Sequence, residues 1–240
     1  MSLPVHDLSQ IRFEELTYAH PSGEEVFSGV SFDFPLNKVV GVDSAASGGK
    51  STLLKLLCAL VQPQEGQLLI NGQAVGDMSF AEFVPYRLKI GYGFDLGGLL
   101  NNRTLRENIL LPLIYHGLCS PKAADRRVDQ WIERMEMGAV QHERPSGVSG
   151  SRRKVTCLIR AMIHEPELLL LDEPTVGLSS HLVEEFKRAL EEERQKGRFR
   201  HVFFVSSDER LLGKGFSQGQ LFIQEGKLDW RPQVEEVSQQ

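Results

Sequence analysis

The chain has little of what marks an exported, membrane-spanning or nucleic-acid-coating protein. It holds three cysteines in 240 residues, and Cys58, Cys119 and Cys157 show neither metal-ligand spacing nor the density of a disulfide framework. A reducing cytosol is the simple expectation. No stretch approaches the roughly 18 apolar residues of a membrane helix, and positions 1–10 lack a charged segment followed by an apolar run. The chain itself is therefore expected neither to be exported nor to span a membrane. Lysine and arginine number 27 against 32 acidic residues, a net charge of −5, so there is no basic footprint for a nucleic-acid partner held through its phosphates. Internal repeats and low-complexity tracts are absent as well.

What is present is a pair of segments. Gly48-Gly49-Lys50-Ser51-Thr52 lies well upstream of Leu168-Leu169-Leu170-Leu171-Asp172-Glu173-Pro174-Thr175. Taken alone, the first also reads as a flexible linker and the second as a buried strand with a solvated end. Their surroundings favour chemistry. Positions 38–42 read as a short strand and 52–60 as a buried helix, so the glycine turn falls between strand and helix. The first turn of a helix has unpaired N–H groups and the positive end of the macrodipole, which together hold an anion. Lys50 adds a point charge for outer phosphates, and the Ser51 hydroxyl is a ligand for Mg²⁺. Asp172 holds that ion from the second strand, and Glu173 is the candidate to polarise an attacking water.

A chain of this length accommodates one large α/β domain, or a core with a subdomain. Three short strands are expected within 11–42, the middle one alternating apolar and polar as a half-buried antiparallel strand does. Gln62-Pro63-Gln64-Glu65-Gly66 ends the first helix and leads to a strand at 67–70. A mostly helical middle section follows. In it Ser120 caps a helix with Pro121 first and Ala124, Val128, Ile132 and Met135 on one face. Further helices are expected at 150–164 and 182–196, a buried strand at 201–205, and a final hairpin around Gly226.

These segments, in this order, resemble the ATP-binding subunit of ABC transporters over nearly the whole chain. The resemblance implies an α/β fold of the P-loop NTPase, ABC type: a mostly parallel core sheet, an antiparallel β subdomain and a helical subdomain at about 96–165, with a tail at 231–240. It implies ATP and Mg²⁺ as ligands. The cradle would be Ser44, Ala45, Ala46, Ser47, Gly48, Gly49, Lys50, Ser51 and Thr52. Tyr18 sits where the family stacks an aromatic ring on adenine, with a plain core tyrosine as the alternative. Val148-Ser149-Gly150-Ser151-Arg152 stands for the family signature Leu-Ser-Gly-Gly-Gln. Ser149 and Gly150 would then reach the γ-phosphate of a nucleotide held by a second subunit. A helix N-cap serine needs no such role.

The departures from the family pattern carry their own message. Ser44 and Ser47 replace two glycines of the cradle, and a non-glycine residue at positive φ costs about 1–2 kcal/mol. Asp95 replaces the glutamine that contacts Mg²⁺ and water, and counts here as both a catalytic and a metal candidate beside Glu173. Ser179 replaces a dimer-contacting aspartate, and Ser206-Ser207-Asp208 replaces Thr-His-Asp, so the γ-phosphate histidine is missing. Losing one preorganised donor costs about 10² to 10³ in rate, so slow hydrolysis is expected.

The same resemblance implies a membrane permease as partner, docked in a groove lined partly by residues 96–103. It also implies dimerisation, with a second copy or with a different ATP-binding subunit, and a peripheral place on the inner face of the cell membrane. Thr104-Leu105-Arg106-Glu107-Asn108-Ile109 and Leu111-Pro112-Leu113 are similar to segments in subfamilies that move lipids or other hydrophobic compounds; the alternative is a helix packing its leucines into the core. The alternative function is an ATP-binding regulatory or scaffold subunit that does not hydrolyse.

Overall fold

A computed structural model of the chain describes residues 7–44, 48–95, 98–212 and 215–233. The first part runs β1 (Ile11–Ala19), β2 (Glu25–Asp33), β3 (Val39–Ser44), α1 (Lys50–Leu57), β4 (Glu65–Ile70), β5 (Gln73–Ala74), α2 (Phe80–Arg87) and β6 (Ile90–Gly93). Then come α3 (Leu105–Tyr115), α4 (Pro121–Arg134), α5 (Gly150–Met162), β7 (Leu168–Asp172) and α6 (Ser180–Gln195). The chain closes through β8 (His201–Val205), α7 (Glu209–Leu212), β9 (Gly219–Gln224) and β10 (Lys227–Pro232).

Two sheets result. Four strands in the order β2-β1-β4-β5 pair antiparallel, and six in the order β10-β9-β3-β8-β7-β6 pair parallel except for the β9–β10 hairpin. The parallel core and the antiparallel sheet match the expected fold class. Central parallel strands are covered on both faces, and here the alternation of side chains assigns each face its own core. Leu168, Leu170, Phe203 and Val205 point into a core shared with α1 and the antiparallel sheet. Leu169, Leu171, Val202 and Phe204 point into a second core built with α3, α4, α5 and α6. A fully buried leucine or phenylalanine contributes about 1.5–3 kcal/mol, so these strands anchor the loops at their ends.

Local chemistry sets several boundaries. α3 opens with a capping box: the Thr104 hydroxyl accepts from Glu107 N–H at 3.1 Å, and the Glu107 carboxylate accepts from Thr104 N–H at 2.7 Å. Leu105, Ile109 and Leu113 are fully buried, so this segment's leucines pack as the core alternative had it, while Leu111 stays 36% exposed. α2 was not expected, because its eight residues carry Pro85 and no clear apolar stripe; a Ser79–Glu82 capping box starts it nonetheless. The end of the chain also differs from expectation. Arg231 and Pro232, assigned to the tail, belong to β10 and pair with Gln220 and Gly219. β10 lies at the sheet edge, where proline is tolerated, and Arg231 stacks over Phe222 at 4.1 Å. Positions 234–240 of the expected tail lie outside the described residues.

β1 contains the irregularity that matters most for the site. Its buried positions run Ile11, Phe13, then Leu16 and Tyr18, a change of phase across Glu15, whose φ is +46°. The register against β2 and β4 shifts at the same place, which is a β-bulge. The bulge turns Tyr18 inward.

Candidate functional site

The loop ends of β3, β6, β7 and β8 meet at the start of α1. Gly49 is the residue before the helix, with φ +91°, and a Cβ there would stand 2.6 Å from Val26 Cγ1. Glycine is thus required twice over, by conformation and by space. No side chain caps α1 and its first turn has no acidic residue, so the positive end of the helix is left for an external anion. Ser44 ends β3, its N–H donating to Asp43 Oδ1 at 2.7 Å. Ala45, Ala46 and Ser47 lie outside the described residues.

The Ser51 hydroxyl donates to Asp172 Oδ1 at 3.0 Å, joining the first turn of α1 to the end of β7. Asp172 is 8% exposed. Burial raises its pKa, and the neighbouring Asp95 and Glu173 carboxylates push it the same way. Hydroxyl and carboxylate oxygens of this kind suit a hard divalent cation, and crowded carboxylates gain from one. Among the described residues no three acidic, histidine or cysteine side chains converge as a cage. Ser51 and Asp172 therefore fit Mg²⁺ as a pair that leaves its remaining positions to phosphate and water, the usual manner of that ion.

Glu173 follows at φ +46°, a strained conformation for a side-chain-bearing residue. Its N–H is held by Val205 O at 2.9 Å. Its Oε2 accepts from Ser207 N–H at 2.9 Å and from Ser207 Oγ at 3.1 Å. Ser207, read as a lost histidine, thus has a partner of its own. Next to it Asp208 is held well below the usual carboxylate range by Arg210 and by the buried Thr175 hydroxyl, which donates at 2.6 Å.

Several expected residues occupy other places. Tyr18 is 7% exposed and belongs to the core, so its ring is not open to a base. Just past the end of β1, His20 is half-buried, meets Tyr18 edge to face at 5.5 Å and stands 3.3 Å from Thr52 Oγ1. A strand reading that stopped at Leu16 did not reach it, and its contact with Thr52 joins residues 32 positions apart. Asp95, expected at the metal, is ion-paired at 2.8 Å with Lys154 of α5, a residue the sequence did not single out. Tyr92 buries its hydroxyl near Asp172, and burial together with that charge keeps it protonated.

Ser149 and Gly150 open α5 on the exposed surface, where Ser149 Oγ accepts from Arg152 N–H at 3.4 Å. Gly150 and Ser151 line a cleft of about 590 Å³ together with Asp95, Lys154 and Gly177. Ser179 caps α6, accepting from Leu182 N–H at 3.3 Å. A second cleft, of about 710 Å³, opens between α2, α3 and α5; Phe80, Phe83, Leu111 and Tyr115 rim it, Arg87 and Arg160 supply its charge, and His116 and His164 line it with pKa values lowered by burial. Phe80 and Tyr115 are 85% and 77% exposed. Residues 98–103 do not line it: Leu99 and Asn101 face the first cleft instead. No helix among the described residues is long and apolar enough to cross a membrane.

Comparison with known proteins agrees with this geometry. The family described as ABC transporter matches residues 27–176. The cell division ATP-binding protein FtsE of Haemophilus influenzae is 33% identical over 186 residues, covering 74% of this chain and 85% of that protein. The methionine import ATP-binding protein MetN of Desulfitobacterium hafniense is 30% identical over 230 residues, 95% of this chain and 67% of that protein. Among solved structures, the dimeric post-hydrolysis state of an ATP-binding cassette bound to ADP and Pi superposes with a TM-score of 0.81 at 23% identity, covering 92% of this chain and 98% of the other. With an uncapped helix start after Gly49, an Asp-Glu strand end bonded to it and relatives of this kind along most of its length, the chain belongs to the ATP-binding subunits of ABC transporters.

Proposed function

We propose that the chain binds ATP with Mg²⁺ at the start of α1 and energises a separate membrane permease by closing against a second ATP-binding subunit. The observation that carries this reading is the Ser51–Asp172 bond at the uncapped N-terminus of α1, with Glu173 following Asp172 directly. Gly48 and Gly49 let the backbone approach the phosphates, and Lys50 neutralises their outer charge. Ser51 and Asp172 hold Mg²⁺, which would draw charge from the β- and γ-phosphates when bound. Glu173 takes the proton of the attacking water. His20, rather than Tyr18, offers its ring to the base. Ser149 and Gly150 meet the nucleotide of the opposing subunit through the N-terminus of α5.

Turnover is expected to be slow. Ser207 stands where a histidine would reach the γ-phosphate, and a serine bonded to Glu173 does not reach as far. Ser44 ends β3 without the positive φ that would strain a serine in place of glycine, so it adds no backbone cost. The permease would dock in the apolar cleft rimmed by Phe80, Leu111 and Tyr115; its charged groups are Arg87 and Arg160, so a helix presenting apolar side chains and a carboxylate fits it. This would hold the subunit at the inner face of the membrane. The bond between Ser207 and Glu173 equally suits a regulatory subunit that binds without hydrolysing, the second reading.

ATP binding and turnover measured on one preparation test both. Lys50→Ala is expected to abolish binding, and an unchanged affinity would remove the nucleotide reading altogether. Measurable turnover that disappears in Glu173→Gln supports the motor; tight binding with no turnover, even beside a second subunit, supports the regulatory role.

A further inference from the structure

Lys154 lies in the second turn of α5, and only 5% of its side chain is exposed. Its ammonium donates to Asp95 Oδ1 at 2.8 Å, to Glu173 O at 2.9 Å and to the Asp95 carbonyl. An ammonium has three protons, and all three are used. One side chain therefore joins the helix that opens at Ser149, the segment that follows β6, and the residue that follows β7.

We propose that Lys154 is a positioning residue which holds Asp95 away from the cation site of Ser51 and Asp172 and fixes the backbone of Glu173. The inference rests on the ATP and Mg²⁺ reading above. A neutral glutamine at position 95 would need no counter-charge, but an aspartate beside Asp172 and Glu173 adds a third negative charge to a partly buried site. Its field already acts on Asp172. Lys154 cancels that charge at a distance of one hydrogen bond. Asp95 is half-exposed, with 42% of its side chain accessible, so the aspartate could turn away into solvent, whereas the buried lysine could not. The pair thus keeps Asp95 in one place, and among the described residues Asp95, Asp172 and Glu173 do not converge as a three-ligand cage. The Lys154 bond to Glu173 O supports the backbone on which the catalytic carboxylate sits, at the strained φ of +46°. Any displacement of α5 or of the Asp95 segment then reaches Glu173 through a single ammonium.

Mn²⁺ in place of Mg²⁺ gives a readout independent of turnover. The full chain, saturated with a non-hydrolysable ATP analogue, is titrated with Mn²⁺ and followed by electron paramagnetic resonance. Asp95→Asn is expected to bind Mn²⁺ within about twofold of the unsubstituted chain, because Asp95 is not a ligand. Lys154→Met frees the carboxylate and is expected to bind about tenfold tighter, since added ligand charge tightens cation sites. Lys154→Met combined with Asp95→Asn returns to the Asp95→Asn value. Lys154→Arg keeps the charge and the unsubstituted affinity, and with Asp95→Asn it decides the matter if Lys154→Met does not fold. Tenfold weaker binding in Asp95→Asn, or unchanged binding in a folded Lys154→Met, overturns the inference alone. Absence of Mn²⁺ binding by the unsubstituted chain with the analogue overturns it together with the reading on which it rests.

Discussion

Glu173 and Ser207 are joined twice: Oε2 of the glutamate accepts from both the backbone N–H and the hydroxyl of the serine, at 2.9 and 3.1 Å. The position that in the family holds a γ-phosphate donor here holds a serine bonded to Glu173 instead. Two bonds from one residue fix the rotamer of the Glu173 side chain.

Substitution at Ser207 separates these two effects. Ser207→Ala keeps the N–H bond and loses the hydroxyl bond, so turnover should fall by about 2–10-fold, the worth of one net hydrogen bond. Ser207→His restores a donor that reaches the γ-phosphate and should raise turnover by about 10²-fold with little change in KM. Steady-state ATP hydrolysis reads both. A rate unmoved by histidine would mean that another element of the site limits turnover.

Tyr18 in β1 and His20 just beyond it should respond differently. His20→Ala removes the ring beside Thr52 and should weaken ATP binding by roughly fivefold, the loss of about 1 kcal/mol of stacking, with the melting temperature nearly unchanged. Tyr18→Ala opens a cavity in the core and should cost about 3–5 kcal/mol of stability, while Tyr18→Phe leaves both properties intact. Isothermal titration and thermal unfolding of the three variants decide which ring serves the nucleotide.

Asp172 should show a trade of stability against function. Its folded pKa is raised, first by burial and then by Asp95 and Glu173. Above that raised value the folded state carries the charge at a cost, so stability contributed by this group falls as pH rises through the interval between its unfolded and folded pKa. Asp172→Asn removes the cost. The nucleotide-free protein should melt about 2–4 °C higher near neutral pH and lose Mg²⁺-dependent ATP binding. A lower melting temperature in the nucleotide-free state would contradict this.

His164 predicts an acid limb. Burial lowers its pKa from 6.5 to about 4, and Arg87 and His116, which share its cleft, disfavour a further positive charge. Its Nδ1 is buried without a partner. The unfolded chain binds the proton more readily, so stability should decline as pH falls from 6.5 towards about 4. His164→Gln should flatten that decline in urea unfolding curves, and an unaltered slope would assign the acid sensitivity to other groups.

Much of the architecture was legible in the chain itself. Strands such as Leu168 to Leu171 and Val202 to Val205 announce themselves because parallel strands buried on both faces need unbroken apolar runs. The glycine before Lys50 was legible because few residues satisfy a left-handed turn at a helix start. α2 was not, since eight residues with Pro85 and no apolar stripe carry little periodic signal. The place of Tyr18 in the core was hidden by the bulge at Glu15, which alters phase without any strong local mark.

The sequence by itself determined the family and the parallel core, because these depend on contiguous motifs and unbroken apolar runs whose spacing dictates their geometry. Only the tertiary structure decided what Asp95 and Ser207 do. Their partners, Lys154 and Glu173, lie 59 and 34 positions away, and hydrogen bonds and ion pairs act over a few ångströms of space rather than along the chain. A residue that reads as a missing catalytic group can therefore be held to a different task by a neighbour that no local pattern reveals.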